Sequence, residues 1–567
     1  MVKQSLDPVG DRDLLIIGGA AAGLIVVGIG GLWTSMHLAA WFTGGTPPAT
    51  SPVALVLDLI RGRTHWTSTA TITAGVLGVG LLLVVVLVIV LTPHRKKMRP
   101  DLSARYMAKA PDLNHLTGAG AAAKAKRLGF PGAGLPLGAA VRNGRDLFSS
   151  WEDTLVMIAG PRTMKTTAYA VPCLVAAPGA ALATSNKRDL LDVTCGVRAE
   201  LGTVWTFDPQ RVANTAPGWW WNPLSYVAPV DAAGRLEPSE TRAEKLAGQF
   251  VTSNRADGAR TDAYFDGEAE NLIGLLLLAA ACGGRPITDV YLWLTRPVDE
   301  TPLEQLDHWN FPLQHESLYA LSQLPDKQRE GVYGTARSLM GFLRNRDIVR
   351  WVTPQPGLPA FDPAAFARST DTLYSLSREG AGSVGSLVAA LTMAVLDALE
   401  EHATESPGGR LPVPFVAVLD EAANICRLRG LDDQYSHYGS RGIIPFTFLQ
   451  SWHQGVQVWG EHGMEKLWSA ANVKIYGGGV DDDRFLRRLS DLIGTAERIT
   501  RSASTGRGAR TITRSVQDQV ILTPAELREL PQGRAVVFAS GTPAVLTEPR
   551  QWFNSPHADQ IRKAMTA

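Results

Sequence analysis

Two stretches without a charged side chain, residues 14–36 and 70–91, stand ahead of a long chain in which short apolar runs alternate with polar turns and amphipathic segments. A helix crosses the roughly 30 Å hydrocarbon core of a bilayer with about 20 apolar residues. Both stretches reach that length, so the pattern predicts two transmembrane helices. The first is longer than the apolar core of a cleaved signal peptide and is preceded by acidic Asp7, Asp11 and Asp13, which argues against removal. Arg95, Lys96, Lys97 and Arg99 follow the second stretch directly. Their charge predicts a cytoplasmic side for that end, and two spans then place both termini in the cytoplasm. The same cluster has the chemistry to attract anionic lipid or nucleic acid. Gly19, Ala22 and Gly23 permit close helix packing within the first span.

Beyond residue 100 the periodicity predicts an α/β fold interrupted by a helical stretch. Asp153 to Ala159 is a short apolar run suited to a buried parallel strand, and Gly160-Pro161 ends it. A helix is expected to start near Lys165. Val413 to Leu419 reads as a second buried strand, ending in Asp420-Glu421. Between these regions the chain turns helical, notably over Asp266 to Cys282 and Leu318 to Arg346, with few strand signals. Strand and helix alternation returns from Thr372, and Val384 to Leu399 is an apolar helix expected to pack on the sheet. The pattern divides the chain into a membrane anchor over residues 1–100, strand and helix alternation over 101–225 and 371–567, and a helical stretch over 226–370. More than 450 residues behind the anchor are too many for one ordinary core.

Composition narrows the function classes. The 55 basic and 54 acidic residues leave a formal charge of +1, so the chain lacks the global basic field of a dedicated nucleic-acid binder. Any DNA contact must be local or line a pore. Cys173, Cys195, Cys282 and Cys426 are scattered without CxxC spacing, which points to neither a zinc site nor a disulfide framework.

The candidate chemistry sits at the two strand ends. A helix beginning near Lys165 aims its free N–H groups and dipole at the loop Gly160-Pro161-Arg162-Thr163-Met164-Lys165-Thr166-Thr167, a geometry that suits phosphate. In a P-loop the lysine reaches the β- and γ-phosphates and the following hydroxyl binds Mg2+, roles that fall on Lys165 and Thr166. The full pattern requires glycine where this chain has Ala159 and Met164. Met164 is the more consequential departure, because a side chain there hinders close approach or a positive φ. The loop alone also fits an ordinary strand-to-helix turn. Asp420 would hold the metal and Glu421 would polarise the attacking water, at the strand ends where a parallel sheet forms its ligand crevice. Read singly, Asp420 fits equally a helix cap and Glu421 a solvated acid.

The order of several short blocks carries a family resemblance. Gly160-Pro161 with Lys165-Thr166-Thr167 and Pro172 is similar to a G-K-T loop with its downstream proline. Thr184-Ser185-Asn186-Lys187-Arg188-Asp189-Leu190 is similar to a D-P-K-G-E-L loop, with Asn186 and Arg188 as departures. Val204 to Pro209, Trp221-Asn222-Pro223-Leu224, Leu419-Asp420-Glu421-Ala422-Ala423-Asn424, Phe448-Leu449-Gln450-Ser451 with Gln454, and Leu522-Thr523-Pro524 with Glu526-Leu527 follow in order. In these blocks the chain resembles the type IV secretion coupling proteins, membrane-anchored hexameric ATPases of the additional-strand, RecA-like branch of the P-loop superfamily.

The resemblance implies ATP and Mg2+ as cofactors, a homo-hexamer in the bacterial cytoplasmic membrane with its soluble domains in the cytoplasm, and DNA or a relaxase–DNA complex passed to a type IV secretion channel. It implies that Gln450 senses the γ-phosphate or orients water, and that Arg441 is supplied to a neighbouring subunit's phosphate; an ordinary surface arginine is the plain alternative. The helical stretch resembles the inserted domain implicated in cargo contact. Arg501, Arg507, Arg510 and Arg514, within Ile499 to Arg514, belong to a polar hairpin or loop that is either solvated or lines a DNA path. Trp219 to Trp221 pack around the Asn222-Pro223 turn or stack on bases. Two other functions remain open: a non-hydrolysing membrane receptor or scaffold, motivated by Ala159 and Met164, and a DNA-segregation or protein-secretion motor of the same superfamily.

Overall fold

The computed structural model describes residues 28–48, 51–91, 98–231, 233–254, 262–380, 384–506 and 509–566, with side chains 84–91 and 498–515 excepted. The chain divides into two units, Met1–Lys97 and Met98–Ala567.

In the first unit, helices run over 28–43, Pro52–Ile60 and Ser68–Leu91. Met36, Ala39, Leu55 and Ala70 form a small apolar cluster. The Thr73 hydroxyl donates to the Ser35 carbonyl at 2.9 Å. The second predicted span is helical over all 24 residues of Ser68–Leu91. Its side chains are described only to residue 83, and among the described residues no helix is long and apolar enough to cross a membrane. Most of the first predicted span, including Gly19, Ala22 and Gly23, and the cations Arg95, Lys96 and Lys97 lie outside the described residues.

The second unit is built on an eleven-stranded sheet. Its strands are β1 (Pro136–Ala140), β2 (Asp146–Phe148), β3 (Leu155–Ile158), β4 (Ala181–Ser185), β5 (Val204–Phe207), β6 (Thr372–Leu376), β7 (Phe415–Leu419), β8 (Ile443–Leu449) and β9 (Val473–Tyr476). A separate hairpin, β10 (Thr495–Gly506) with β11 (Ala509–Val520), precedes β12 (Ala535–Ala539) and β13 (Val545–Glu548). The spatial order is β2-β1-β13-β12-β9-β3-β8-β7-β4-β6-β5. From β9 to β5 all neighbours are parallel, and the other four strands add an antiparallel edge.

The central strands are continuous apolar runs because both faces are buried. In β3, Val156 and Ile158 enter one core and Leu155 and Met157 the other, as side-chain alternation requires. The first core takes in helices Ala263–Cys282, Gly385–Glu405 and Trp452–Ala470, and the second takes in Val171–Ala176 and Asp189–Ala199. The expected strands at Asp153–Ala159 and Val413–Leu419 and the expected helices at Asp266–Cys282 and Val384–Leu399 are present with shifted ends. Leu318 to Arg346 is broken after Ser322, and a second helix begins at Asp326. Among the described residues the chain between β5 and β6 forms helices and no strand of the sheet.

Trp219 is surrounded by Trp205, Phe207, Trp351 and Phe361, and Trp221 is fully buried. Of the two readings of the tryptophan run, the structure chooses core packing for these residues. All four cysteines are free. The side chains of Arg501, Arg507, Arg510 and Arg514 lie outside the described residues.

Candidate functional site

The parallel strands deliver the predicted residues to one end of the sheet. β8 lies between β3 and β7, so one further strand separates the lysine loop from the acidic strand. Register places Ile158 beside Leu449 and Leu419 beside Thr447, so the segments that follow leave the sheet at nearly one level.

Gly160 follows β3, and its N–H donates to the Gly478 carbonyl at 2.8 Å. A Cβ at Gly160 would sit 1.9 Å from the Gly479 carbonyl oxygen, so only glycine fits. Thr163 donates its hydroxyl to the Gly160 carbonyl at 2.7 Å, closing the loop on itself. Arg162 and Met164 both take left-handed backbone, at φ 59 and 66. Met164 therefore adopts the conformation that a P-loop glycine permits, and does so with a side chain. Such backbone costs on the order of 1–3 kcal/mol per non-glycine residue and persists only when its surroundings hold it. Two contacts do so: Gln532 donates to the Arg162 carbonyl at 3.1 Å, and the Gln551 amide meets the Met164 sulfur.

Lys165 caps a π-helical turn over Thr166–Ala170 that continues as Val171–Ala176. Pro172 lacks an N–H and its ring crowds the carbonyl four residues back, which accounts for the widened turn. The half-buried Lys165 ammonium donates to the Ala159 carbonyl at 3.0 Å. Burial holds it below its ordinary pKa, against the pull of Glu421 and Asp420.

Asp420 is 7% exposed, and its carboxylate accepts the Glu421 N–H at 3.2 Å. Burial, and after it the charge of Glu421, push its pKa up to about 7, with Lys165 opposing. Glu421 stands at φ 52 and opens the short helix Ala422–Ile425. Both its carboxylate oxygens accept from Gln450 Nε2 at 2.8 Å, and Oε2 also accepts from Asn424 at 3.1 Å. Gln450 is in turn fixed through its N–H, which donates to Gln454 at 2.9 Å.

Lys165, Asp420, Glu421 and Gln450 thus lie together at the carboxyl ends of β3, β7 and β8, and Thr166 follows Lys165 at the start of the helical turn. Arg441 does not join them. It ends helix Leu431–Arg441 ahead of β8, so the seven residues of that strand separate it from Gln450, and it pairs with Glu400 at 3.2 Å. Among the described residues no group of three or more His, Cys, Asp or Glu is arranged to hold a metal. A Mg2+ ion held by one carboxylate, one hydroxyl and nucleotide phosphates needs no such cage. Asp420 and Thr166 are the donor types for that arrangement.

Reasoning from sequence left Gly478, Gly479, Gln532, Gln551 and Glu379 without a role. The run Gly477-Gly478-Gly479 at the end of a strand is itself a signal of close backbone approach. The glutamines and Glu379 carry no such signal.

Residues 414–532 match the family described as the TraM recognition site of TraD and TraG. The fold is similar to the bacterial conjugative coupling protein TrwB in its unbound form, with 16% identity over 76% of this chain and 91% of that one and a TM-score of 0.52. TrwB in complex with the ATP analogue ADPNP is similar at 16% identity over 76% of this chain and 92% of that one, with a TM-score of 0.51. TrwB in complex with ADP and Mg2+ is similar at 16% identity over 70% and 85%, with a TM-score of 0.50. No curated protein matches by sequence. Motif order, family match and fold agree, and the resemblance of this chain to the type IV secretion coupling proteins is borne out.

Proposed function

We propose that this chain is a membrane-anchored ATPase that couples ATP hydrolysis to the recruitment and transfer of DNA, or of a relaxase–DNA complex, to a type IV secretion channel. The observation that carries the reading is the convergence of Lys165, Asp420, Glu421 and Gln450 on one crevice, with Gln450 Nε2 at 2.8 Å from both Glu421 oxygens. In this reading Gly160 to Thr167 cradle the phosphates, Thr166 and Asp420 hold Mg2+, and Glu421 activates water that Gln450 helps to place. Bound Mg2+ supplies charge to the phosphate oxygens. TrwB is described in complex with ADP and Mg2+ and with ADPNP, which supports nucleotide as the ligand here.

In the sequence, the charge-free run 70–91 and the cations Arg95, Lys96, Lys97 and Arg99 that follow it support anchoring in a bacterial cytoplasmic membrane with the second unit in the cytoplasm. The match to the TraM recognition site supports a protein of the DNA-processing complex as partner of residues 414–532. Assembly as a homo-hexamer, the division into an anchor over residues 1–100, nucleotide-binding parts over 101–225 and 371–567 and a helical insert over 226–370, and the use of Arg441 by a neighbouring subunit belong to the same proposal. A second reading, a receptor that does not hydrolyse ATP, is motivated by Ala159 and by the side chain of Met164, which stand where the P-loop pattern has glycine.

ATP hydrolysis by the full chain in nanodiscs, with and without single- and double-stranded DNA and beside Lys165→Ala, separates the two. DNA-stimulated turnover that disappears in the variant is expected. Absence of turnover together with absence of nucleotide binding would favour the receptor.

A further inference from the structure

Glu421 leaves β7 with a left-handed backbone, so the strand does not aim its carboxylate; partners beyond the strand must. Gln450 is one. The other is Asn424, whose Nδ2 donates to Glu421 Oε2 at 3.1 Å and to Glu379 Oε1 at 3.1 Å. An amide nitrogen has two hydrogens, one for each carboxylate. With both engaged, the amide oxygen of Asn424 is turned away from Glu421. Without an acceptor at residue 379 the amide loses one of its two anchors and is held by Glu421 alone. Glu379 Oε1 also accepts from Asn186 Nδ2 at 2.5 Å. Asn186 is one of the two departures from the coupling-protein pattern in its loop. The segments that follow β4, β6 and β7 therefore converge on a single carboxylate oxygen.

We propose that Glu379, held between Asn186 and Asn424, is a positioning residue that fixes the orientation of Asn424 and through it the carboxylate of Glu421. The proposal rests on the hydrolytic reading of Glu421 given above. Glu379 is exposed, so water screens its charge, and it acts through the geometry of its acceptor oxygen. Glu379→Gln keeps an acceptor oxygen there, and Glu379→Ala removes it.

Turnover of ATP by the full chain is measured as kcat and KM for wild type, Glu379→Ala, Glu379→Gln, Asn424→Ala and the double alanine variant. The expected result is a fall of about tenfold in kcat for each alanine variant with KM unchanged, because each removes the Asn424–Glu379 hydrogen bond that fixes the amide. The double variant falls no further, because the two residues act as a unit. Glu379→Gln stays within about twofold of wild type. Unchanged kcat in Glu379→Ala, additive losses in the double variant, or equal losses for alanine and glutamine at residue 379 would each overturn the proposal.

Hydrogen exchange of the peptide 420–426 without nucleotide provides a reading that needs no turnover. The amides of Asn424 and Ile425 donate to the Glu421 carbonyl at 2.9 and 3.1 Å, and they exchange faster in Glu379→Ala than in wild type or Glu379→Gln. Equal exchange in all three overturns the relay. A wild-type protein without Lys165-dependent hydrolysis refutes the ATPase reading instead, and the exchange result then decides the relay on its own.

Discussion

Replacing Asp420 by Asn tests the electrostatics of the site without nucleotide. The folded chain raises the pKa of this carboxyl from 3.8 to about 7, so between those values the folded state holds a proton that the unfolded state has released. Stability from this group is present in full below 3.8 and is lost as pH rises through about 7. Each pH unit in that window is worth about 1.4 kcal/mol, so above pH 7 the buried carboxylate costs roughly 4 kcal/mol, and at pH 5 roughly 1.5 kcal/mol. Asparagine cannot ionise, yet its amide oxygen still accepts the Glu421 N–H that Asp420 accepts at 3.2 Å. The apo variant is therefore expected to melt above wild type. In a unit the size of Met98–Ala567, 1 kcal/mol shifts Tm by about 1 °C. The gain should grow from about 1–2 °C at pH 5 to about 4 °C at pH 8. Thermal unfolding of both proteins across that range, free of nucleotide and Mg2+, is the assay. Saturating Mg2+–ATP should reverse the order, because only the wild type keeps the carboxylate for the metal. A difference that does not vary with pH, or a variant that melts lower at pH 8, would refute the assignment of a raised pKa to Asp420.

Glu421→Gln keeps the shape of the site and removes its base, so nucleotide binding by calorimetry should persist while turnover drops by about 10² or more; unchanged turnover would remove Glu421 from the chemistry. Met164→Gly relieves left-handed strain in a loop that already has the required backbone, so ATP affinity should stay within about threefold of wild type. A tenfold gain would mean that the side chain, and not the backbone, restricts the loop. Gly160→Ala forces a methyl to 1.9 Å from the Gly479 oxygen, so it should cost about 3 kcal/mol or more, read as a lower Tm and weakened nucleotide binding.

Local pattern determined much of this molecule. Buried parallel strands need unbroken apolar runs, and those at Leu155–Ile158 and Phe415–Leu419 stand out because Gly160-Pro161 and Asp420-Glu421 end them so abruptly. Helical periodicity exposed the stretch between β5 and β6, since amphipathic helices write their faces into the sequence. The position of Lys165 after a strand, and of two acids after another, followed from short-range order alone, whereas Gln450 was named only by the resemblance.

What the sequence could not contain were distances between segments hundreds of residues apart. That Gly160 must be glycine is decided by Gly479 on the neighbouring strand end, and that Met164 is tolerated at φ 66 is decided by a loop braced from Gln532 and Gln551. Arg441 lies close to Gln450 in sequence, but a strand runs between them and carries them to opposite ends of the sheet, where Glu400 holds the arginine. Glu379 gives no local sign of its position, because its partners come from two other strands. The raised pKa of Asp420 is likewise a property of burial. Periodicity is a local quantity and folds into elements one at a time; close approach, hydrogen-bond direction and desolvation exist only after the strands have been ordered in the sheet.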